Sequence, residues 1–303
     1  MQAKHLLIIC GPTAVGKTVL SVQLAKYFTT EIISTDSRQL YKEMNIGTAK
    51  PTQQEMQGVP HHFIDCVSIH QHYTAGDYEQ NVIKKLDELF TQHNVVIMCG
   101  GTGLYIDAVC KGFDEGMESN SEIKKQIAQQ YHLNGLIWLQ EQVKKHDVDF
   151  YTQADINNPQ RLMRALEVCL TTGKPYSSFR KNIAVKRSFG VIKILLNEER
   201  ESLYAKINQR VDEMMVKGFL KEAESLYPFK HLNALNTVGY KELFDYFENK
   251  TSLAKAIELI KQHTRNYAKR QITWFKNDED CNQFYPSDIE KIKAFTEIII
   301  QNN

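Results

Sequence analysis

Four residues near the N-terminus stand at a spacing that binds phosphate. Gly11, Gly16, Lys17 and Thr18 form the pattern G-x-x-x-x-G-K-T. In such a loop the backbone N–H groups surround an anion, the lysine neutralises it, and the threonine hydroxyl ligates Mg²⁺. We therefore predict a phosphate-binding loop made of Gly11, Pro12, Thr13, Ala14, Val15, Gly16, Lys17 and Thr18. The spacing alone does not say which phosphate compound it binds.

The segments on either side of this loop are the elements that must position it. HLLIIC (5–10) is a continuous apolar run, typical of a strand buried on both faces, and 17–28 has the pattern of a buried helix. Further apolar runs predict strands at 31–35, 61–67, 94–99 and 191–196, with a helix at 77–93. This alternation predicts an α/β fold with a parallel sheet flanked by helices. The loop, Asp36 and Gly100–Gly103 all follow strands, where such sheets bind ligands.

The pattern changes after Gly112. Residues 114–121 are polar and indicate a linker, and 122–172 are typical of helices. From Glu198 onward the chain again predicts helices, including one at 251–275. We therefore expect a P-loop core formed by 1–112 and 191–303, interrupted by a helical insertion domain at 113–190.

Composition sets broad limits. A chain of 303 residues with 42% hydrophobic and 24% charged residues can bury a sizeable core, and its net charge of +1 does not indicate an acidic partner. The six cysteines include no C-x-x-C pair, which favours reduced, mostly buried thiols. His61, His62, Asp65 and Cys66 allow a zinc site, although a strand with partly exposed histidines is favoured. The N-terminal apolar run is too short for a signal peptide or a membrane span. We expect a cytoplasmic monomer with no membrane partner.

The acidic residues argue against an ordinary P-loop ATPase or GTPase. Such proteins place a second acid after a strand to help hold Mg²⁺, but the strand at 94–99 is followed by Gly-Gly-Thr-Gly, and no N-K-x-D sequence is present. Asp36 is the one acid at a suitable strand end. An aspartate there usually caps a turn. Because it opens the polar segment DSRQLYKEMNIGTAKP, we predict that it acts on a substrate.

Six motifs occur in an order that resembles a known family. They are GPTAVGKT, STDSRQLYKEMNIGTAKP, GGTGLY, NPQRLMRALEV, TVGYKE and AKRQITWF. Together they are similar to the bacterial tRNA dimethylallyltransferases, also called tRNA isopentenyltransferases, from about residue 6 to 276. The resemblance implies transfer of a dimethylallyl group from dimethylallyl diphosphate to N6 of adenosine 37 of tRNA. It also implies release of diphosphate and a requirement for Mg²⁺.

The resemblance further implies roles for individual residues. Asp36 would be the general base for the weakly nucleophilic adenine amine. Thr13, Lys17, Thr18 and Arg161 would stabilise the departing diphosphate, and Thr18 would ligate Mg²⁺. We expect ATP to bind the same loop as an inhibitor and not as a substrate.

Contact with the tRNA anticodon stem-loop is expected along several segments. The resemblance assigns it to Asp36, Ser37, Arg38, Gln39, Thr102, Lys124, Gln160, Arg161, Leu162, Met163, Arg164, Gly239, Tyr240 and Lys241. Charge supports this independently, because 160–193 contains eight basic residues and one acid, and 261–276 contains five basic residues and no acid. A solvated helix face balanced by its neighbours is the alternative. The helix at NPQRLMRALEV should also bury Leu162, Ala165, Leu166 and Cys169.

Other functions remain open at this point. A prenyltransferase acting on free adenine nucleotides shares the loop and the aspartate, but it has no need of a basic helical insertion. A metabolite kinase would consume ATP. A pure RNA-binding protein has no use for Lys17 and Thr18.

Overall fold

The computed structural model describes residues 3–112, 120–180 and 185–302. The chain forms two compact units. The core unit comprises 1–110 and 186–303, and the helical unit comprises 111–185. Most of the linker expected at 114–121 lies outside the described residues; its last residue, Ser121, already begins a helix.

A six-stranded sheet forms the centre of the core unit. Its strands are β1 (His5–Cys10), β2 (Ile32–Ser34), β3 (His61–His62), β4 (Val95–Gly100), β5 (Gly190–Leu196) and β6 (Cys281–Phe284). They lie in the order β3-β2-β4-β1-β5-β6, and every neighbouring pair is parallel. The predicted fold class is therefore confirmed.

Twelve helices occur among the described residues. They are α1 (Lys17–Tyr27), α2 (Gln53–Met56), α3 (Ala75–Leu89), α4 (Gly103–Lys111), α5 (Ser121–His146), α6 (Val148–Gln153), α7 (Pro159–Thr172), α8 (Arg200–Val216), α9 (Phe219–Leu226), α10 (Tyr240–Phe247), α11 (Leu253–Lys276) and α12 (Ile289–Gln301). The helical unit contains α5, α6 and α7, and the other helices belong to the core unit.

Strand β1 shows why its sequence is apolar throughout. Leu6 and Ile8 pack into a cluster on one face of the sheet, whereas Leu7 and Ile9 pack into a second cluster on the other face. Both faces are covered, so side chains pointing either way are buried. The carboxyl end of β1 is thereby fixed in the middle of the sheet, where the loop Gly11–Thr18 begins.

Two strands differ from the sequence expectation. The strand predicted at 61–67 is limited to His61–His62, because Phe63 and Asp65 have φ of 62° and 54° and turn the chain away from the sheet. Strand β6 was missed, since only helices were expected after Glu198. CNQF is short and polar, and it becomes a strand through pairing with β5.

The helical unit has its own small core. Leu162, Ala165 and Leu166 of α7 are buried with residues of α5 and α6, and Cys169 is buried as well. The predicted amphipathic character of α7 is confirmed. Asn158 caps α7 by accepting the backbone N–H of Arg161 at 3.2 Å, and Pro159 occupies the first turn.

Candidate active site

The loop Gly11–Thr18 connects β1 to α1 and has an unusual backbone. Gly11, Ala14 and Gly16 have φ of 145°, 66° and 102°. A Cβ atom on Gly11 would lie 2.8 Å from the carbonyl oxygen of Leu196, so no side chain fits there. Gly16 then caps α1 in the left-handed region. These glycines let the chain turn sharply and direct its N–H groups to one side.

Five consecutive backbone N–H groups of this loop are available to a ligand. The N–H groups from Ala14 to Thr18 form no hydrogen bond within the described part of the chain. They lie at the N-terminus of α1, where the helix dipole also favours negative charge. A run of free N–H groups at a helix N-terminus can bind phosphate oxygens.

The ammonium group of Lys17 lies against its own loop. It donates to the carbonyl oxygens of Gly11 at 3.0 Å and Pro12 at 2.7 Å. The pKa of Lys17 is lowered to about 8, chiefly by burial and in part by the positive charge of Arg210, while Cys99 and Asp36 oppose the change. An anion bound in the loop would favour the charged form of Lys17.

Arg210 is a site residue that the sequence analysis missed. It projects from α8, and its Nη1 lies 3.4 Å from the hydroxyl oxygen of Thr13. It therefore adds a second cation beside Lys17. A signal was present in the sequence, because Arg210 follows Leu203 and Ile207 on the buried stripe of α8. An arginine at such a position needs a partner or a ligand.

Asp36 follows β2 and is held by the turn that it begins. Its Oδ1 accepts the backbone N–H groups of Arg38 at 2.8 Å and Gln39 at 3.3 Å. Oδ2 accepts no hydrogen bond within the described residues. The capping role and a chemical role are therefore compatible, since each uses a different oxygen.

Thr102 lies beside this turn, as adjacent strand ends predict. Strands β2 and β4 are neighbours, and the Thr102 hydroxyl accepts the backbone N–H of Ser37 at 3.1 Å. The phenol of Tyr267 on α11 lies near Thr102, and burial raises the pKa of this phenol to about 12. Asp36, Ser37 and Thr102 are thus brought together at the carboxyl end of the sheet.

Two residues expected to contact RNA have structural partners. The guanidinium of Arg38 donates to the carbonyl oxygens of Asn233 at 3.2 Å and Ala234 at 2.9 Å. The amide of Gln39 donates to the carbonyl oxygens of Thr48 and Ala49, each at 3.2 Å. Both side chains therefore hold the segment after Asp36 in place, and RNA contact through them stays a prediction.

The TVGYKE turn is only partly accessible. Gly239 has a φ of 98°, and Glu242 accepts its N–H at 2.7 Å. The Tyr240 side chain is fully buried against Phe219, so any RNA contact at Tyr240 would have to use its backbone. Lys241 is exposed.

The candidate residues of the helical unit occupy the start of α7 and part of α5. Gln160, Arg161 and Lys124 are exposed. Leu162 is fully buried and Met163 is half-buried, so their side chains serve the core of the unit. Arg164 forms a 3.1 Å ion pair with Glu167.

The basic stretch at 160–193 is not one uniform patch. Arg187 is paired with Glu79 at 2.5 Å, and the buried Lys193 is paired with Asp278 at 2.6 Å. Both belong to the core unit. Lys181 lies outside the described residues. The excess of positive charge counted in the sequence is therefore larger than the charge that is accessible to RNA.

The second basic stretch keeps more of its charge accessible. Lys261 is paired with Asp212 at 2.9 Å, whereas Lys269, Arg270 and Lys276 of α11 are exposed. This end of α11 is therefore the more strongly cationic surface of the core unit among the stretches predicted from sequence.

Other expectations about the chain have mixed outcomes. All six thiols are free. Cys10 and Cys169 are buried, Cys66 is exposed and the other three are half-buried, so the expectation that most thiols are buried was wrong. His62 is bonded to Glu31 at 2.5 Å. In 3–112, 120–180 and 185–302, no three His, Cys, Asp or Glu side chains converge on a metal position. Within the same ranges no helix has the length and apolar character needed to cross a membrane.

These features define an enzyme-like α/β protein in which the loop Gly11–Thr18 and the carboxylate of Asp36 follow strands of one parallel sheet. A family model described as IPP transferase matches residues 39–278. A tRNA dimethylallyltransferase of Flavobacterium psychrophilum is 51% identical, with 95% of this chain and 96% of the relative covered. Another, of Bacteroides fragilis, is 44% identical over 99% of this chain and 100% of the relative.

Solved structures of similar enzymes have the same fold as this chain. A tRNA isopentenylpyrophosphate transferase of Bacillus halodurans superposes with a TM-score of 0.74 at 34% identity, covering 99% of this chain and 97% of the other. A eukaryotic dimethylallyltransferase described as acting on tRNA gives a TM-score of 0.83 at 27% identity, covering 99% and 80%. The chain belongs to the tRNA dimethylallyltransferase family of enzymes.

Proposed function

We propose that this enzyme transfers a dimethylallyl group from dimethylallyl diphosphate to N6 of adenosine 37, in the anticodon stem-loop of tRNA. One observation carries the proposal beyond family membership. The free N–H groups of Ala14–Thr18 and the unpaired Oδ2 of Asp36 lie at the carboxyl ends of β1 and β2, on either side of β4. An anionic donor and a nucleophile that must lose a proton can therefore meet at one sheet edge.

The transfer forms one bond and breaks another. The N6 lone pair attacks C1 of the dimethylallyl group, and the C1–O bond breaks with its electron pair passing to diphosphate. The N6 proton passes to Oδ2 of Asp36. Because the amine lone pair is delocalised into the ring, an acceptor for this proton is worth roughly 10²–10⁴ in rate. The hydrogen bonds at Oδ1 hold the carboxylate for that task.

The departing diphosphate gains negative charge as the C1–O bond breaks. Donors that are already oriented stabilise such charge without reorganisation. The N–H groups of Ala14–Thr18, the Lys17 ammonium and the Arg210 guanidinium supply them, and the Thr13 hydroxyl lies beside Arg210. The resemblance to the family predicts that Arg161 contributes as well.

The donor set at the loop suits Mg²⁺. The Thr18 hydroxyl forms no hydrogen bond within the described residues, and Mg²⁺ prefers such hard oxygen ligands together with phosphate oxygens and water. Thr18 would hold the ion with the diphosphate. When bound, Mg²⁺ would neutralise charge on the leaving group.

The acceptor is recognised by charge and by access to its base. The exposed cations Lys124, Arg161, Lys269, Arg270 and Lys276 can bind phosphates of the RNA backbone. The target adenine must leave the loop stack before its amine can reach Asp36. Thr102, whose hydroxyl accepts the N–H of Ser37 in the turn after Asp36, would contact that base.

A product assay tests the proposal. The protein is incubated with dimethylallyl diphosphate, Mg²⁺ and a tRNA carrying adenosine 37, and the tRNA is digested and analysed by mass spectrometry. We expect N6-dimethylallyladenosine, none from the same tRNA with guanosine 37, and little from AMP added as a competing acceptor. Failure to find the modified nucleoside would overturn the proposal, and preferential modification of AMP would favour an enzyme of free nucleotides.

A further inference from the structure

Gln271 is a buried amide that joins two parts of the site. It projects from α11, with a side chain only 6% exposed. Its Oε1 accepts the backbone N–H of Thr13 at 2.8 Å, and its Nε2 donates to the carbonyl oxygen of Gly101 at 2.9 Å. One side chain thus uses both halves of its amide on two different loops.

The fit around this amide is close. A Cβ atom at Gly101 would lie 2.1 Å from Nε2 of Gln271 and 3.2 Å from the carbonyl oxygen of Gly11. Any other residue at 101 would push Gln271 away. The absence of a side chain at 101 is therefore what allows the phosphate-binding loop, the turn after β4 and α11 to meet.

Further hydrogen bonds connect the turn after β4 to the segment that carries Asp36. Thr102 follows Gly101 directly, donates its N–H to the carbonyl oxygen of Thr35 at 3.2 Å, and accepts the N–H of Ser37. Asp36 lies between these two partners. A hydrogen-bonded path therefore runs from Thr13 through Gln271 and Gly101 to the backbone on both sides of Asp36.

We propose that Gln271 is a positioning residue that fixes the distance between the diphosphate-binding loop and the turn carrying Asp36. This inference rests on the proposed function, in which the two sides hold the donor and the acceptor. The bond that Gln271 makes to the loop uses the N–H of Thr13 and leaves the N–H groups of Ala14–Thr18 to the ligand. It aligns the loop without occupying it.

The chemistry of an amide is required here. The site presents one N–H donor and one carbonyl acceptor, and only a group that accepts and donates at once satisfies both. Methionine has a similar length but satisfies neither. An ionised glutamate satisfies Thr13 and repels the Gly101 oxygen. A protonated glutamate can accept and donate as glutamine does.

Two variants and a matched control test the inference. Gln271→Met and Gln271→Glu are compared with wild type and with Thr273→Ala, an exposed position on the same helix. For each, kcat, KM for dimethylallyl diphosphate, Kd for tRNA and Tm are measured. We expect Gln271→Met to lower kcat about 10²-fold, as displacement of reacting groups by about 1 Å does. Its tRNA Kd should stay within about twofold, and Thr273→Ala should resemble wild type in every quantity.

The pH dependence of kcat in Gln271→Glu distinguishes a positioning role from a purely structural one. Burial favours the neutral form of a carboxyl group, and lowering the pH restores its donor. The ratio of its kcat to that of wild type should therefore rise as pH falls from 8 to 6, while the ratio for Gln271→Met stays constant. Should Gln271→Met not fold, the Gln271→Glu ratio alone decides.

The outcomes separate this inference from the proposed function. In one result, the wild type forms the product while Gln271→Met has an unchanged kcat. In another, the ratio of the Gln271→Glu kcat to the wild-type kcat does not depend on pH. Either result would overturn the positioning role and leave the proposed function intact. Loss of kcat only in proportion to unfolded protein would also overturn it. No product from the wild type would overturn the proposed function itself.

Discussion

The backbone N–H of Arg38 donates to Oδ1 of Asp36 at 2.8 Å, which leaves Oδ2 without a partner in the described residues. One carboxylate therefore combines a structural oxygen with a free oxygen. Because an asparagine retains Oδ1 as an acceptor, it can preserve the turn while removing the basic oxygen. This separates the two roles of Asp36 experimentally.

Asp36→Asn should reduce the rate of transfer with little effect on binding. We expect kcat to fall by roughly 10²–10⁴, the usual contribution of a general base, and tRNA Kd to change less than about twofold. Single-turnover kinetics and filter binding measure the two quantities. Asp36→Ala, which also removes the cap, should in addition lower Tm. A wild-type rate in Asp36→Asn would exclude the carboxylate from proton transfer.

Donor binding should weaken as pH rises above 8. The pKa of Lys17 in the free protein is lowered to about 8, so the ammonium that attracts the diphosphate is lost above that pH. The last pKa of a phosphate ester is about 6, so the charge of the donor stays constant above pH 8. KM for dimethylallyl diphosphate measured from pH 7 to 9.5 should therefore increase towards the alkaline end.

Lys17→Arg is the control for this pH dependence. Its guanidinium stays protonated throughout the range, so the alkaline rise in donor KM should disappear even if the absolute KM is higher. The same rise in both proteins would assign the titration to a group other than Lys17.

Arg161 and Arg164 should differ although they are one turn apart. Arg161 is exposed, whereas Arg164 is paired with Glu167, whose side chain is buried. Arg161→Gln should weaken tRNA binding and reduce the salt slope of log Kd by about 0.7–0.9, the value for one phosphate contact. Arg164→Gln should chiefly lower Tm, because it removes the cationic partner of the buried Glu167 carboxylate. Equal salt slopes for Arg161→Gln and wild type would show that Arg161 contacts no phosphate.

Glu222 should be important for stability. Its carboxylate accepts the N–H groups of Ile46 at 2.8 Å and Gly47 at 2.9 Å, and the Tyr240 hydroxyl at 2.7 Å. Glu222→Gln places an NH₂ group among these donors, and we expect it to lower the free energy of unfolding by about 2 kcal/mol. Urea denaturation measures this, with the exposed Glu224→Gln as the neutral control. If both variants had the same free energy of unfolding, the hydrogen bonds accepted by Glu222 would contribute little to stability.

Local patterns in the sequence predicted the centre of the fold well. Strand β1, the loop Gly11–Thr18 and helix α1 are consecutive, so their apolar periodicity and glycine spacing are sufficient to identify them. The adjacency of Asp36 and Thr102 was also predictable, since strand ends meet at one edge of a parallel sheet.

Features that depend on distant partners were not predictable in this way. Arg210 reaches Thr13 only because α8 packs near the loop. Lys193 contributes to the basic stretch 160–193 in the sequence, yet it is buried beside Asp278, which lies 85 residues further along the chain. Strand β6 likewise depends on β5 for its pairing. None of these partners is visible in a local window of sequence.

The ligand of the Gly11–Thr18 loop is tested most directly by comparing what the enzyme does with dimethylallyl diphosphate and with ATP in the presence of tRNA. We predict one diphosphate released for each N6-dimethylallyladenosine formed, and no ADP from ATP. ATP should raise the apparent KM for the donor and leave kcat unchanged, because it occupies the same loop without reacting. Formation of ADP at a rate that depends on tRNA would contradict the assignment of this loop to a departing diphosphate.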